Sequence, residues 1–343
     1  MKISVVIPFY NAEAHLPRCL EALLGQTFKD AEYILVDNAS SDSSAAVVSG
    51  FLAAHPDFPG QLLREDKKGA GAARNKGTRS ATGEWIAFTD ADCIPDPGWL
   101  SDMSKETDQP AIGAVAGQIL PFPAKNIIGK FLGTYTLPPN SVIRIFTDYT
   151  LLEGGFPTSN LMVRRSVFEK IEGFDESIPI YGEDHDLCDR IYRTGLGISA
   201  LTDGIVRHNH RSTLQGLVRQ SVGFGESHAY MLKRRSPGAL IITLPFIEIV
   251  GMKANTRIWM DFARADKKLL LALLLGLYWS GFAVMALLYF LYLCFTSYNK
   301  AKIRKIDVSP VSSPLLVFLL IIKSASITWG EIKGSFKYKV VCF

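Results

Sequence analysis

Apolar and polar positions follow two rhythms along the first hundred residues. Ile3 to Ile7 is a short β-branched run ended by Pro8, which predicts a buried strand. Leu16, Leu20, Leu23 and Leu24 then recur at helical spacing, with Gly25 where a helix stops. Tyr33 to Val36 predicts a second buried strand, Ala45–Leu52 a helix, and Leu62-Leu63 a weaker strand. A helix is expected over 72–80, after the glycines at 69 and 71, and a strand over Trp85–Phe88. Such alternation, with strands apolar throughout, implies an α/β domain whose mostly parallel sheet is covered by helices on both faces.

Beyond residue 110 the pattern loosens. Ala111–Ile119 predicts a strand, and 121–150 predicts loops with short helices. Asn160–Val163 predicts a strand, Ser166–Ile171 a helix, and Glu183–Thr194 a helix with Leu187, Cys188, Ile191 and Tyr192 on one face. Residues 269–295 are 27 uncharged, mostly apolar positions, long enough to cross a bilayer or to form a re-entrant hairpin. A second run, Val308–Ile322, predicts a further membrane-associated helix extending to about residue 330. Three regions follow: a catalytic domain over 1–230, a basic amphipathic linker over 231–268, and membrane-associated helices over 269–343.

Charge sharpens that division. Residues 1–230 hold 21 Lys+Arg and 28 Asp+Glu, whereas 231–343 hold 16 and 5, so an acidic body precedes a tail with a net charge of +11. Because the basic residues flank apolar runs, the expected partner is anionic lipid and not nucleic acid. Five scattered cysteines without a CxxC pair argue against a disulfide framework or a zinc site. The chain starts directly on a strand-like run with no leader pattern, so a cytoplasmic first domain is expected.

The chemistry-bearing residues gather after strands. Asp90 and Asp92 in FTDADC offer hard oxygen ligands to Mg²⁺ or Mn²⁺, and Asp37 in VDNASSD ends another strand. In parallel sheets, ligands collect at the carboxyl ends of strands, which is where all three lie. In GEDHDLCDR, Asp184 falls in a helix first turn and is a candidate general base, with Asp186 competing. His208 and His210 alternate and would share one face of a strand, making either a candidate to complete a metal shell or contact phosphate. Lys67, Lys68 and Arg74 flank the glycines of KKGAGAARNKG and are candidates to pair with phosphates. That segment starts like a dinucleotide fingerprint, but its third glycine position is Arg74 and no clear apolar strand runs into it, which weakens an oxidoreductase reading.

Five motifs in order, SVVIPFYNAE, ILVDNASSDSS, GAGAARNKGTRSATGEWIAFTDADC, TSNLMVRRSVFEKIEGFDE and GEDHDLCDRIYRTG, resemble the inverting family-2 glycosyltransferases with the GT-A fold. The resemblance runs from residue 3 to about 230. It implies donor contacts from Pro8, Asp37, Arg74 and Asp90, a metal on Asp92 and His208, and Asp184 as catalytic base. It further implies a nucleotide-sugar donor, UDP by default, and a hydroxyl acceptor on a lipid-linked saccharide or surface polysaccharide precursor, at the cytoplasmic face of an inner membrane. Processive members carry Gln-x-x-Arg-Trp after the base. Here RQSVGFGES supplies Gln220 without Arg-Trp, so transfer of one or very few sugars is expected. The competing reading is a catalytically silent sugar-nucleotide-binding scaffold.

Overall fold

A computed structural model describes residues 1–137, 140, 142–149, 154–178, 181–210, 212–234, 238–244, 248–252, 256–265, 267–269, 271, 274 and 280–343. These fall into two compact units, one of Met1–Phe122 with Leu137–Asn209, the other of Pro123–Thr136 with His210–Phe343.

The first unit opens with β1 (Ile3–Phe9), α1 (Leu16–Leu24), β2 (Ala31–Asp37), α2 (Ser44–Ala54), β3 (Gly60–Arg64), α3 (Ala70–Ser80) and β4 (Trp85–Phe88). Next come β5 (Cys93–Pro95), α4 (Trp99–Ser104), β6 (Ile112–Ala116) and β7 (Ile119–Pro121). The chain then forms α5 (Ile127–Tyr135), which belongs to the second unit, and returns through β8 (Arg144–Phe146), β9 (Leu161–Arg164), α6 (Arg165–Lys170), α7 (Glu183–Tyr192), β10 (Gly197–Ala200) and β11 (Val206–His208).

Eight strands form the main sheet in the order β3-β2-β1-β4-β9-β6-β10-β8. The first four run parallel; β9 is antiparallel to both β4 and β6, and β8 is antiparallel to β10. Successive residues of a strand point to opposite faces, and here both faces are buried. Ile3, Val5 and Ile7 pack with Leu16, Leu20 and Leu23 of α1, while Val6, Ile34 and Ile86 pack with Val167, Leu187 and Ile191 on the other side. Gly77 lets α3 approach the sheet closely, since a Cβ there would lie 2.5 Å from Val6 Cγ1.

Three local expectations change. β1 continues through Pro8 to Phe9, because its pairing with β4 ends at Val6 and Pro8, which lacks an N–H, falls where β1 has outrun that neighbour. The predicted strand at 111–119 is two strands, β6 and β7, in different sheets. The histidines do not share a strand, since β11 ends at His208.

The second unit contains α5, α8 (Leu214–Arg234), β12 (Ala239–Thr243), β13 (Glu248–Met252), β14 (Arg257–Asp261), α9 (Ser280–Ile303), α10 (Ser313–Tyr338) and β15 (Val341–Cys342). The stretch expected to be a linker instead supplies three strands of a four-stranded sheet, β13-β12-β14-β15. Of the long uncharged run 269–295, the part from Ser280 onward lies within α9, and much of 270–279 lies outside the described residues. Among the described residues, the helix long and apolar enough to cross a membrane is Pro310–Tyr338, with a mean hydropathy of 1.8.

Candidate active site

Asp37, Asp90 and Asp92 lie at or just past the carboxyl ends of β2 and β4, strands that flank β1. Asp37 is buried; its Oδ1 accepts the Ser40 N–H at 2.9 Å, and Arg64 Nη1 stands 3.5 Å from Oδ2. Beside it, Asn38 donates to the carbonyls of Glu65 and Lys67 and accepts the Gly69 N–H at 2.8 Å. That side chain ties the β2 edge to the loop leading into α3. Sequence reasoning missed Asn38. Its signal is an amide directly after a strand-end carboxylate, facing a glycine with φ 135°.

Arg74 occupies the centre. It is 3% exposed, its Nη2 lies 2.7 Å from Asp90 Oδ1, and its Nη1 lies 3.1 Å from Glu183 Oε1. The guanidinium also stands over the Phe174 ring, 5.5 Å from the centroid. Burial opposes its charge, but Asp90 and Glu183 outweigh that cost and hold its pKa above the ordinary arginine value. Arg74 therefore joins the end of β4 to the start of α7, and both terminal nitrogens are committed to protein carboxylates.

Glu183 and Asp184 open α7 after Gly182, whose φ of 101° is readily adopted by glycine. Burial, then the neighbouring Asp184, pushes the Glu183 carboxyl above its usual value. Asp184 is half-buried, and its Oδ1 accepts the His185 N–H at 2.8 Å. Asp186, the competing base, is buried and paired with Arg190 at 2.7 Å, an (i, i+4) bridge within the helix. Leu187 and Ile191 anchor α7 in the core.

Strand register supplies the histidine. β11 pairs antiparallel with β5, setting His208 opposite Cys93, and His208 Nε2 lies 3.7 Å from Asp92 Oδ2. Donor atoms of Asp92, Cys93 and His208 lie within 4.8 Å of one another. Burial, then Asp92 and Asp90, pushes the Cys93 thiol well above its ordinary value, and its Sγ donates to Asp92 Oδ1 at 3.7 Å. A neutral thiol leaves a carboxylate and an imidazole as the ligating groups. That set fits a hard or borderline divalent cation better than a thiolate-seeking metal.

The remaining candidates divide. Pro8 pairs in register with Val36 beside the same sheet edge. Lys67 is engaged by Glu176 at 2.6 Å, and Lys68 stands over the exposed ring of Tyr10, 5.9 Å from its centroid. His210 belongs to the second unit.

Residues 4–172 match the family described as glycosyl transferase family 2, and 146–212 match the N-terminal domain of galactosyltransferase. Among curated proteins, the chain is 28% identical over 238 residues to glycosyltransferase AglE of Haloferax volcanii, covering 68% of this chain and 76% of that protein. It is 29% identical over 245 residues to the pre-mycofactocin glycosyltransferase of Mycobacterium tuberculosis, covering 68% of this chain and about half (48%) of that longer protein. It is 26% identical over 238 residues to the O-antigen chain rhamnosyltransferase RfbN of Salmonella typhimurium, covering 67% and 73%.

Solved structures share the fold. The mannosyltransferase PcManGT of Pyrobaculum calidifontis, in complex with GDP-Man and Mn²⁺, gives a TM-score of 0.59 at 17% identity over 98% of this chain and 87% of that one. S. aureus TarS 1–349 in complex with UDP-GlcNAc gives 0.52 at 16% identity over 99% and 93%. The ordered motifs, the GT-A-like sheet and the matched relatives lead to one assignment: the chain belongs to the family-2 glycosyltransferases, nucleotide-sugar-dependent enzymes built on a GT-A domain.

Proposed function

We propose that the protein transfers a single sugar from a nucleotide-sugar donor to a hydroxyl acceptor, with inversion, at a membrane surface. The observation that carries this reading is the Arg74 bridge. One buried guanidinium holds Asp90 and Glu183, so the DxD edge and the start of α7 are drawn to a common point. Asp184 adjoins that bridge, and the Asp92–His208 pair extends from it.

Asp37 and Pro8 line the nucleotide end of the sheet edge, where Asp37 accepts hydrogen bonds from base or ribose. Asp92 and His208 would hold a divalent cation, Mn²⁺ or Mg²⁺, which would supply positive charge to offset that developing on the diphosphate. Asp184 takes the proton of the acceptor hydroxyl. The acceptor oxygen bonds to the anomeric carbon as the bond from that carbon to the diphosphate oxygen breaks, and the nucleoside diphosphate departs. Arg74 acts as a donor-side positioning residue, orienting Asp90 and Glu183 without spending its own charge on phosphate. UDP is the favoured base carrier. The favoured acceptor is a lipid-linked saccharide or surface polysaccharide precursor at the cytoplasmic face of the inner membrane, in keeping with the basic, apolar second unit.

Asp184→Asn tests the base directly. Donor binding, read as thermal stabilisation by UDP-sugars with Mn²⁺, should persist. Transfer should fall by about 10²–10⁴-fold. Turnover near the wild-type rate would remove Asp184 from the mechanism.

A further inference from the structure

The membrane-surface reading leaves open how the second unit meets lipid, and its helices answer by the way their side chains sort. By length and composition Pro310–Tyr338 is able to cross a bilayer. A crossing helix, however, needs its lipid-facing circumference apolar for about 20 residues. In α10 only one stripe is available. Val311 just ahead of the helix, then Leu315, Phe318, Ala325, Trp329 and Phe336, recur at spacings of three, four and seven, and all are exposed.

The opposite face is occupied by protein and by charge. Glu331 is 1% exposed, with its carboxylate clasped by Arg264 at 2.6 and 2.7 Å and by His228 Nδ1 at 2.9 Å. A Cβ on Gly330 would lie 2.1 Å from the carbonyl of Val222, so the backbones of α10 and α8 touch. At the margin of that contact the exposed Lys333, on the same side as Trp329 and Phe336, pairs with Glu226 at 2.7 Å. Further up, Lys323 Nζ donates to the Tyr135 carbonyl, while Arg304 Nη1 donates to the carbonyls of Gly133 and Thr136. Two cations thus satisfy the open carbonyls at the end of α5. Taking α10 through a bilayer would carry this polar partner face into hydrocarbon, where unsatisfied and charged groups are strongly disfavoured.

α9 shows the same asymmetry. Val284, Leu287, Leu288, Leu291 and Phe295 are more than half exposed, while Ala286, Leu293, Ser297 and Ala301 on the other side are buried. The α10 stripe extends about 38 Å at 1.5 Å per residue, longer than the roughly 30 Å hydrocarbon core and suited to lying along a surface. Its aromatic residues are flanked by the exposed Lys333, Lys337 and Lys339, the arrangement of interfacial helices. The surrounding segment, 231–343, carries a net +11.

We propose that α9 and α10 form an in-plane seat on an anionic lipid leaflet, and that α10 does not cross it. This rests on the membrane-surface reading above. The test uses the full chain. It is mixed with vesicles of phosphatidylcholine alone or with phosphatidylglycerol added, sedimented, washed at alkaline pH, and digested with protease added outside sealed vesicles. The expected result is binding that requires phosphatidylglycerol, release by the alkaline wash, and full digestion of a C-terminal tag along with the first unit. Phe318→Ser combined with Trp329→Ser should reduce vesicle partitioning by about tenfold or more while leaving the melting profile in place. Retention through the wash, with the tag and the first unit on opposite faces, overturns the seat while keeping membrane attachment. Absence of binding to either vesicle, or a stable dimer that buries the stripe and ignores lipid, overturns both the seat and the membrane reading, with the transferase assignment untouched.

Discussion

Each unit holds an arginine between carboxylates, buried in the first and half-buried in the second, and the two clusters serve opposite ends. Arg74 in the first unit joins Asp90 and Glu183, whose side chains retain 31% and 17% exposure. Further carboxylates stand beside them in Asp184 and Asp92, so acid outnumbers base at an edge that solvent reaches. Arg264 in the second unit joins Asp261 to Glu331, and His228 completes the set around a glutamate with almost no exposure. There both carboxylates are engaged by protein partners and the glutamate is closed off from solvent. The same residue types make a site in one place and a clamp in the other. What separates them is uncommitted carboxylate capacity at an opening, which a cation and a diphosphate require and a packed helix pair does not.

Removing each arginine should break that comparison most sharply. Arg264→Met strands the buried Glu331 carboxylate and should destabilise the protein by about 3–5 kcal/mol, whereas Arg74→Met leaves the half-buried Asp90 and Glu183 without their cation and should cost less. Denaturant unfolding monitored with separate fluorescent reporters in the two units checks this. Per folded molecule, Arg74→Met should also abolish transfer, whereas Arg264→Met should leave donor-induced thermal stabilisation intact. Equal loss of donor binding in both variants would erase the distinction. Asp92→Asn tests the open cluster alone. Its carboxylate is 37% exposed, so stability should move by less than about 0.5 kcal/mol. Turnover should drop by about 10²–10³-fold, read from initial rates at saturating Mn²⁺.

How far these clusters are legible in the sequence depends on distance along the chain. Asp37, Asp90 and Asp92 can be placed because each follows an apolar run, and a strand end is a local feature. Asp184 is readable from the acidic first turn of a helix anchored by Leu187 and Ile191. The direction of β9 is not readable, since four apolar residues carry no sign of whether they run with or against β4. The sequence offers His208 and His210 alike as ligands and only resemblance selects His208, because its approach to Asp92 is set by the β11–β5 register across more than a hundred residues. Arg74 reads as a phosphate contact at the start of the helix expected over 72–80, and only tertiary packing buries it. The 231–268 stretch reads as a linker because β12, β13 and β14 are each five residues long, and their pairing with β15 is non-local.

The smallest expected effect separates scaffold from site within the first unit, through two glutamates shifted in opposite directions. Burial works against ionised Glu32, but hydrogen bonds from Ser4, Thr82 and Lys2 prevail and hold it down to about 2 from 4.5. Its contribution to stability is complete above the unfolded value and is lost as pH falls from 4.5 toward about 2. Glu183 is shifted upward, by burial and then by Asp184. The folded state therefore binds its proton more readily than the unfolded chain, and stability declines as pH rises from the ordinary glutamate value to the raised one. Glu32→Gln should flatten the acid limb of a stability–pH curve without changing the transfer profile. Glu183→Gln should flatten the segment above the ordinary glutamate value and also disturb transfer, because it loosens the Arg74 bridge. Equilibrium denaturation across pH, paired with kcat measured on the same samples, distinguishes the two. If Glu32→Gln altered the kcat profile as much as Glu183→Gln, the line between the rigid sheet and its reactive edge would be drawn in the wrong place.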